Sequence, residues 1–305
     1  MSAAWLDGVV TERPLLLPGH SACAGCGPAI NLRHVLGALA AAAPESRIVL
    51  VIPASCWTII AGVWPANAFD VAVHLTPFAS AAAEASGIKA ALRLRGEGDT
   101  TVVVWGGDGS TADIGFSGVS AAAERNEDIL YVLNDNEAYM NTGVQKSGAT
   151  PEGAWTTTTP VGSPRVGQKK DMARIIAAHG VPYVATLAAG SVPMVRDFRA
   201  KVAKAAGITG FRFLHVLGGC PPGWRYPTSQ TARITRLAVE SNVFPLAEFE
   251  AGTWRITFRP KRPVPVRDYL ALQGRFQHLT PDAVGAIQAH VDRRWRDYAT
   301  PPMDA

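Results

Sequence analysis

Two constellations in this 305-residue sequence combine residue types and spacing that can do chemistry. In the first, Val102-Val103-Val104-Trp105 runs into Gly106-Gly107-Asp108-Gly109, and a second apolar run, Ile129 to Leu133, ends in Asn134-Asp135-Asn136. Glycines at the end of a strand let the backbone turn sharply and let a bulky anion approach, and the helix that follows can aim its N-terminus at a phosphate. Asp108 and Asn136 are 28 positions apart, the length of one helix plus one strand. A right-handed crossover of that length returns both side chains to the same carboxyl edge of a parallel sheet, where ligands bind. One carboxylate, one amide oxygen, a main-chain carbonyl and diphosphate oxygens would complete the octahedral shell of Mg²⁺.

The second constellation is the cysteines. Cys23 and Cys26 form C-x₂-C, Cys56 follows after 29 intervening residues and Cys220 after another 163, which accounts for all four. Four thiolates suit Zn²⁺ or a [4Fe–4S] cluster, and spacing alone does not choose between them. A structural zinc site usually brings two close pairs, whereas one pair is close here. The seven histidines are scattered without a pair at metal-ligand spacing and read as structural. No Gly-x-Ser-x-Gly elbow and no Walker loop is present.

These residues must be positioned by a sheet. Arg47–Pro53, Val71–Leu75, Thr101–Trp105, Ile129–Leu133, Tyr183–Leu187 and Phe211–Leu217 read as short, fully buried strands. Between them Ser80–Leu94, Ile114–Arg125, Asp171–His179 and Val192–Ala206 carry helical patterns. The alternation predicts an α/β fold, a parallel sheet with helices on both faces. Residues 1–225 form the expected cofactor-binding domain. Beyond Cys220 prolines punctuate the chain, and 226–305 reads as an irregular C-terminal arm with one hairpin strand, Trp254–Arg259, and a last helix, Pro281–Tyr298.

Composition narrows the function classes. Hydrophobic residues make up 48% and charged residues 18%, which excludes a disordered chain and favours a buried interior or a large subunit interface. No apolar run reaches the roughly 18 residues of a membrane span. Met1-Ser2-Ala3-Ala4-Trp5 lacks the order of a secretory signal, so a cytoplasmic location with reduced thiols is expected. The net charge of +4 arises wholly in the last 55 residues, where 9 Lys/Arg face 5 Asp/Glu. Arg293, Arg294 and Arg296 on a helix read as a solvated face or a subunit contact, and no nucleic-acid reader motif accompanies them.

Asp108-Gly109 followed by Asn136 resembles the signature of thiamine-diphosphate enzymes. Residues Asp135-Asn136-Glu137-Ala138-Tyr139-Met140-Asn141-Thr142-Gly143, with Ala149-Thr150-Pro151-Glu152-Gly153-Ala154-Trp155-Thr156-Thr157-Thr158-Thr159, look like the beta subunit of 2-oxoacid:ferredoxin oxidoreductases, pyruvate synthase especially. The resemblance runs from about His20 to about Trp224 and leaves the arm uninformed. It implies the diphosphate-binding half of the thiamine-diphosphate fold. Gly107, Asp108, Gly109, Asn136 and Ala138 would bind the cofactor, with Asp108, Asn136 and the Ala138 carbonyl on Mg²⁺, and Asn141 and Thr142 near the thiazolium and substrate. Asp113 would be a structural or phosphate-side residue. Cys23, Cys26, Cys56 and Cys220 would hold a [4Fe–4S] cluster, Cys56 also flanking the cofactor, and His20 matches a Gly-His pair placed before the first cysteines.

The activity so implied is oxidative decarboxylation of a 2-oxo acid, pyruvate above all, to its coenzyme A ester and CO₂, with electrons passed through the cluster to ferredoxin. The partners implied are an alpha subunit supplying a catalytic Glu, and gamma and ferredoxin-like delta subunits or fused equivalents. Oxalate, 2-oxoisovalerate or an arylglyoxylate as substrate, a non-redox thiamine decarboxylase subunit and a Cys₄ zinc scaffold subunit are the alternatives.

Overall fold

A computed structural model describes residues 14–62, 67–165 and 167–299; the N-terminal stretch Met1–Trp5 lies outside them. The strands are β1 (Ile48–Pro53), β2 (Ala72–Thr76), β3 (Thr101–Gly107), β4 (Leu130–Asp135), β5 (Tyr183–Leu187), β6 (Arg212–Leu217), β7 (Leu246–Glu250) and β8 (Thr253–Phe258). The helices are α1 (Gly27–Ala42), α2 (Trp57–Ile60), α3 (Ala81–Leu94), α4 (Asp108–Ala112), α5 (Phe116–Glu124), α6 (Met172–Ala177), α7 (Val192–Ala206), α8 (Pro221–Trp224), α9 (Thr231–Glu240), α10 (Val266–Leu270) and α11 (Pro281–Ala299). One sheet runs in the order β2-β1-β3-β4-β6-β5-β7-β8, the first six strands parallel and the last two antiparallel.

Strand periodicity explains the two covered faces. In β3, Val103 and Trp105 join one core with Leu32, Leu36 and Phe198, while Val102 and Val104 join the other with Ala85, Ala122 and Ile176. Each valine or leucine wholly buried in this way contributes about 1.5–3 kcal/mol. The expected burial fails at one strand. β2 is the sheet's edge, and Leu75 is 54% exposed, because α3 packs chiefly over β1 and β3.

The C-terminal arm continues the same sheet. β8 is the expected hairpin strand, and its partner β7, which the sequence reading missed, pairs antiparallel with β5. Their turn is Ala251-Gly252, both with positive φ (49° and 79°), the geometry that matches strand twist in a tight hairpin. A third core gathers Trp224, Tyr226, Ile234, Phe244, Tyr269, Phe276 and Val291 beneath the arm. Among the described residues no helix is long and apolar enough to cross a membrane.

Candidate active site

Strand order reverses between β1 and β3, since β1 leads outward to β2 before the chain returns to β3. At such a switch point the loops leave the carboxyl edge in opposite directions and open a crevice. A cavity of about 160 Å³ lies there, lined by Ser55, Cys56, Thr58 and Phe78 beyond β1 and β2, Gly107–Ser110 from the end of β3 onward, and Asn134, Asn136 and Ala138–Thr142 from the end of β4 onward. Gly107, Asp108, Gly109, Asn136, Ala138, Cys56, Asn141 and Thr142 all line this one cavity.

Asp108 opens α4 and is 2% exposed. One carboxylate oxygen accepts from the Ser147 hydroxyl. The carboxamide of Asn136 directs one atom at the other oxygen of Asp108, 3.0 Å away, and at the carbonyl of Ala138, 2.9 Å away. With its nitrogen there, the amide donates to both. With its oxygen there, three oxygens converge, and adjacent ligands of octahedral Mg²⁺, bound at about 2.0–2.1 Å, stand about 2.9 Å apart. A carboxamide satisfies both states by turning over, and the donor set fits a magnesium diphosphate.

Burial, reinforced by the charge of Asp135, pushes the Asp108 carboxyl well above the usual range, a cost that a bound cation reverses. Asp135 is fully buried, yet Lys169 at 3.2 Å and His215 at 2.8 Å outweigh that burial and hold it ionised, below the usual range. Lys169 also reaches Glu137, at 2.6 Å. Asp135 thus faces this network, whereas Asn134 and Asn136 line the cavity, as the period of two in a strand requires.

The segment 138–145 folds back on itself through an antiparallel bridge between Tyr139 and Gln145, which carries Asn141 and Thr142 to the exposed mouth. Gly109 permits this packing: a Cβ there would fall 2.1 Å from the Tyr139 ring. Asp113 is a structural residue, accepting from the Tyr139 hydroxyl at 3.0 Å and the Gly148 N–H at 2.8 Å. The sequence reading missed Asn134, Ser147, Tyr139 and Lys169. Asn134 was legible, two positions before Asn136 and so on the same strand face; its carboxamide oxygen is buried without a partner.

The cysteines gather beside the cavity. Cys26, Cys56 and Cys220 each stand at the N-cap of a helix, α1, α2 and α8. Burial pushes the Cys26 thiol up to about 11 and Cys220 up to about 12, and Cys56 rises for the same reason, with neighbouring thiols adding to each rise. Against this, the nearby N–H groups of Ala29, Gly223 and Asn141 lower the rise at Cys26, Cys220 and Cys56 and so favour the thiolates. Cys23 is exposed, and His20, three residues before it, faces Arg33 at 2.7 Å. Among the described residues no three thiols stand close enough to ligate one metal ion.

Residues 58–216 match the family described as thiamine pyrophosphate enzyme, C-terminal TPP binding domain. The ketoisovalerate oxidoreductase subunit VorB of Pyrococcus abyssi is 45% identical, the alignment covering 93% of this chain and 94% of that one. The pyruvate synthase subunit PorB of Methanocaldococcus jannaschii is 46% identical over 91% of this chain and 94% of its own. A 2-oxoglutarate:ferredoxin oxidoreductase from Magnetococcus marinus shares the fold, with a TM-score of 0.57 at 20% identity over 96% of this chain and 91% of that one. Sequence, sheet and cavity agree: the chain belongs to the thiamine-diphosphate-dependent beta subunits of 2-oxoacid:ferredoxin oxidoreductases.

Proposed function

We propose that this subunit serves the oxidative decarboxylation of pyruvate, with coenzyme A as acyl acceptor and ferredoxin as electron acceptor. The observation that carries the reading is the convergence of Asp108, Asn136 and the Ala138 carbonyl at the switch-point cavity. These three would hold Mg²⁺ and, through it, the diphosphate; Gly107, where a Cβ would meet only Ser55 at 3.8 Å, leaves room for the anion. Bound there, the thiazolium supplies the electron sink without which a 2-oxo acid does not release CO₂. Asn141 and Thr142, at the mouth, would orient the substrate. The Thr142 hydroxyl is held by Gln145, whose own amide nitrogen donates to the Thr142 carbonyl at 2.9 Å.

Cys23, Cys26, Cys56 and Cys220 would hold a [4Fe–4S] cluster. The N–H groups near three of the sulfurs suit anionic ligands, and Cys56, lining the cavity, would bring the cluster against the thiamine. A short distance favours one-electron transfer out of the site. Among the residues lining the cavity there is no Glu, so we assign the Glu that assists cofactor activation to an alpha subunit, with gamma and ferredoxin-like delta subunits, or fused equivalents, completing a cytoplasmic assembly. A second reading is 2-oxoisovalerate as substrate, supported by the near-equal identities to the ketoisovalerate and pyruvate enzymes.

The test is viologen reduction by the complex, purified without oxygen, across a panel of 2-oxo acids with and without coenzyme A. CoA-dependent reduction fastest with pyruvate supports the first reading, and fastest with 2-oxoisovalerate the second. No reduction with any acid, or zinc without iron and acid-labile sulfide, would overturn both.

A further inference from the structure

The oxygens at Asn136 and Ala138 flank a residue in an unusual position. Glu137 is 2% exposed with φ at +68°, a left-handed backbone that a glutamate in a free loop would shed. Four partners hold it. Its N–H donates to Asp135 at 3.0 Å, its carbonyl accepts from the Thr150 hydroxyl at 2.7 Å, one carboxylate oxygen takes Lys169 at 2.6 Å and the other takes Arg275 at 2.6 Å. Arg275 comes from the C-terminal arm, 138 positions away, and is 2% exposed.

The same guanidinium has a second role. Its carbon lies 4.0 Å from the centre of the Trp224 ring, and its Nε donates to Gln273 at 2.9 Å. Trp224 ends α8, the helix that Cys220 begins, and its indole N–H donates to the main-chain carbonyl of Asn136 at 2.8 Å. One planar cation therefore has an edge on the oxygen-bearing loop and a face on the sulfur-bearing helix. β4 and β6 bring the two segments side by side, but their ladder ends at Asp135 and Leu217, before either segment reaches its chemistry. Arginine suits this double task because it pairs and stacks at once, which lysine's point charge does not. For stability alone, an apolar side chain of similar volume would serve a buried site as well.

We propose that Arg275 is a positioning residue: through Glu137 and Trp224 it fixes the Asn136 and Ala138 oxygens relative to the Cys220 sulfur, so that the C-terminal arm sets the geometry of the cofactor site. The inference rests on the assignment of those oxygens and that sulfur under Proposed function.

The experiment uses the assembled complex carrying R275M, R275K or W224F. Equilibrium dialysis gives the affinity for Mg²⁺ with thiamine diphosphate, and electron paramagnetic resonance of the dithionite-reduced complex reports the cluster. R275M is expected to weaken cofactor binding roughly 10–100-fold, the range in which partners of metal ligands act, and to alter the cluster's line shape. R275K, which restores the charge without the stack, should fall between R275M and wild type. W224F keeps a smaller aromatic face and loses the N–H, and should weaken cofactor binding several-fold. If R275M fails to assemble, R275K and W224F carry the decision. Wild-type cofactor affinity and line shape in the folded variants would reduce the pair to core filling and overturn the proposal. A wild-type complex that binds no thiamine diphosphate would instead overturn the assignment on which the proposal rests.

Discussion

Replacing Gly109 with alanine isolates the contact that packs the cofactor loop. The backbone at Gly109 is one that alanine can adopt, so the cost comes from space alone. The added Cβ would stand 2.1, 2.5 and 2.7 Å from three atoms of the Tyr139 ring, where ordinary contact begins near 3.4 Å. The ring must give by about 1.3 Å, and it is not free to do so. Its hydroxyl is bonded to Asp113 at 3.0 Å, its N–H to the Gln145 carbonyl at 2.9 Å, and Ala138, the preceding residue, presents one of the three oxygens. Forcing a methyl group into a packed site costs about 1–3 kcal/mol. If the loop absorbs that cost, affinity for magnesium thiamine diphosphate falls roughly 5- to 150-fold. Calorimetric titration of the assembled complex measures it. The control is Tyr139→Ala: with the ring gone, adding Gly109→Ala should change affinity little further. Equal losses in both backgrounds, or none in either, would refute the reasoning.

Two further substitutions test the charges. Asn136→Asp sets a second carboxylate 3.0 Å from Asp108 and removes the amide's ability to turn over, so the chain should lose about 1–3 kcal/mol without cation, and Mg²⁺ with diphosphate should raise its melting temperature more than that of wild type. Unchanged stability without Mg²⁺ would count against the turning amide. Asp171 is held down to about 2, because Arg294 at 2.9 Å and the Tyr298 hydroxyl at 2.8 Å outweigh its burial. A depressed carboxyl contributes stability that is full above its unfolded value near 3.9 and is lost as pH falls through about 2; the shift is worth roughly 2–3 kcal/mol. Asp171→Asn should therefore lower denaturant stability at pH 7 and flatten its fall in that acid range, and an unaltered acid limb would remove Asp171 from the account.

The parallel core was legible because each of β1 and β3–β6 is buried on both faces and reads as a short, mostly apolar run bounded by turn residues. β2 reads the same way yet lies open, since hydrophobic pattern reports a residue's type and not the layer that ends above it. That Asp108 and Asn136 meet at one cavity was legible because a strand's end and a fixed crossover length locate both without tertiary knowledge. Glu137, Lys169 and Arg275 were not, because a buried ion pair joins residues 32 and 138 positions apart and leaves no local period. β7 was hidden by Leu246-Ala247-Glu248-Phe249-Glu250, whose charges resemble a surface segment, although Glu248 is buried against Tyr183 at 2.6 Å.

Sulfur at the helix starts has a consequence for how these segments hold together. α2 and α8 are four residues each, far below the length at which a helix persists unaided, and each begins on a cysteine. A neutral thiol is a poor acceptor for the free N–H groups of a first turn, whereas an anionic sulfur is a strong one. Trp57 and Trp224, 1% and 0% exposed, are carried into the core by these two turns. In the proposed cluster-bound state the charge on these two sulfur atoms would act as a latch on two tryptophans, and whatever neutralises or oxidises those atoms would loosen the protein's interior from the inside.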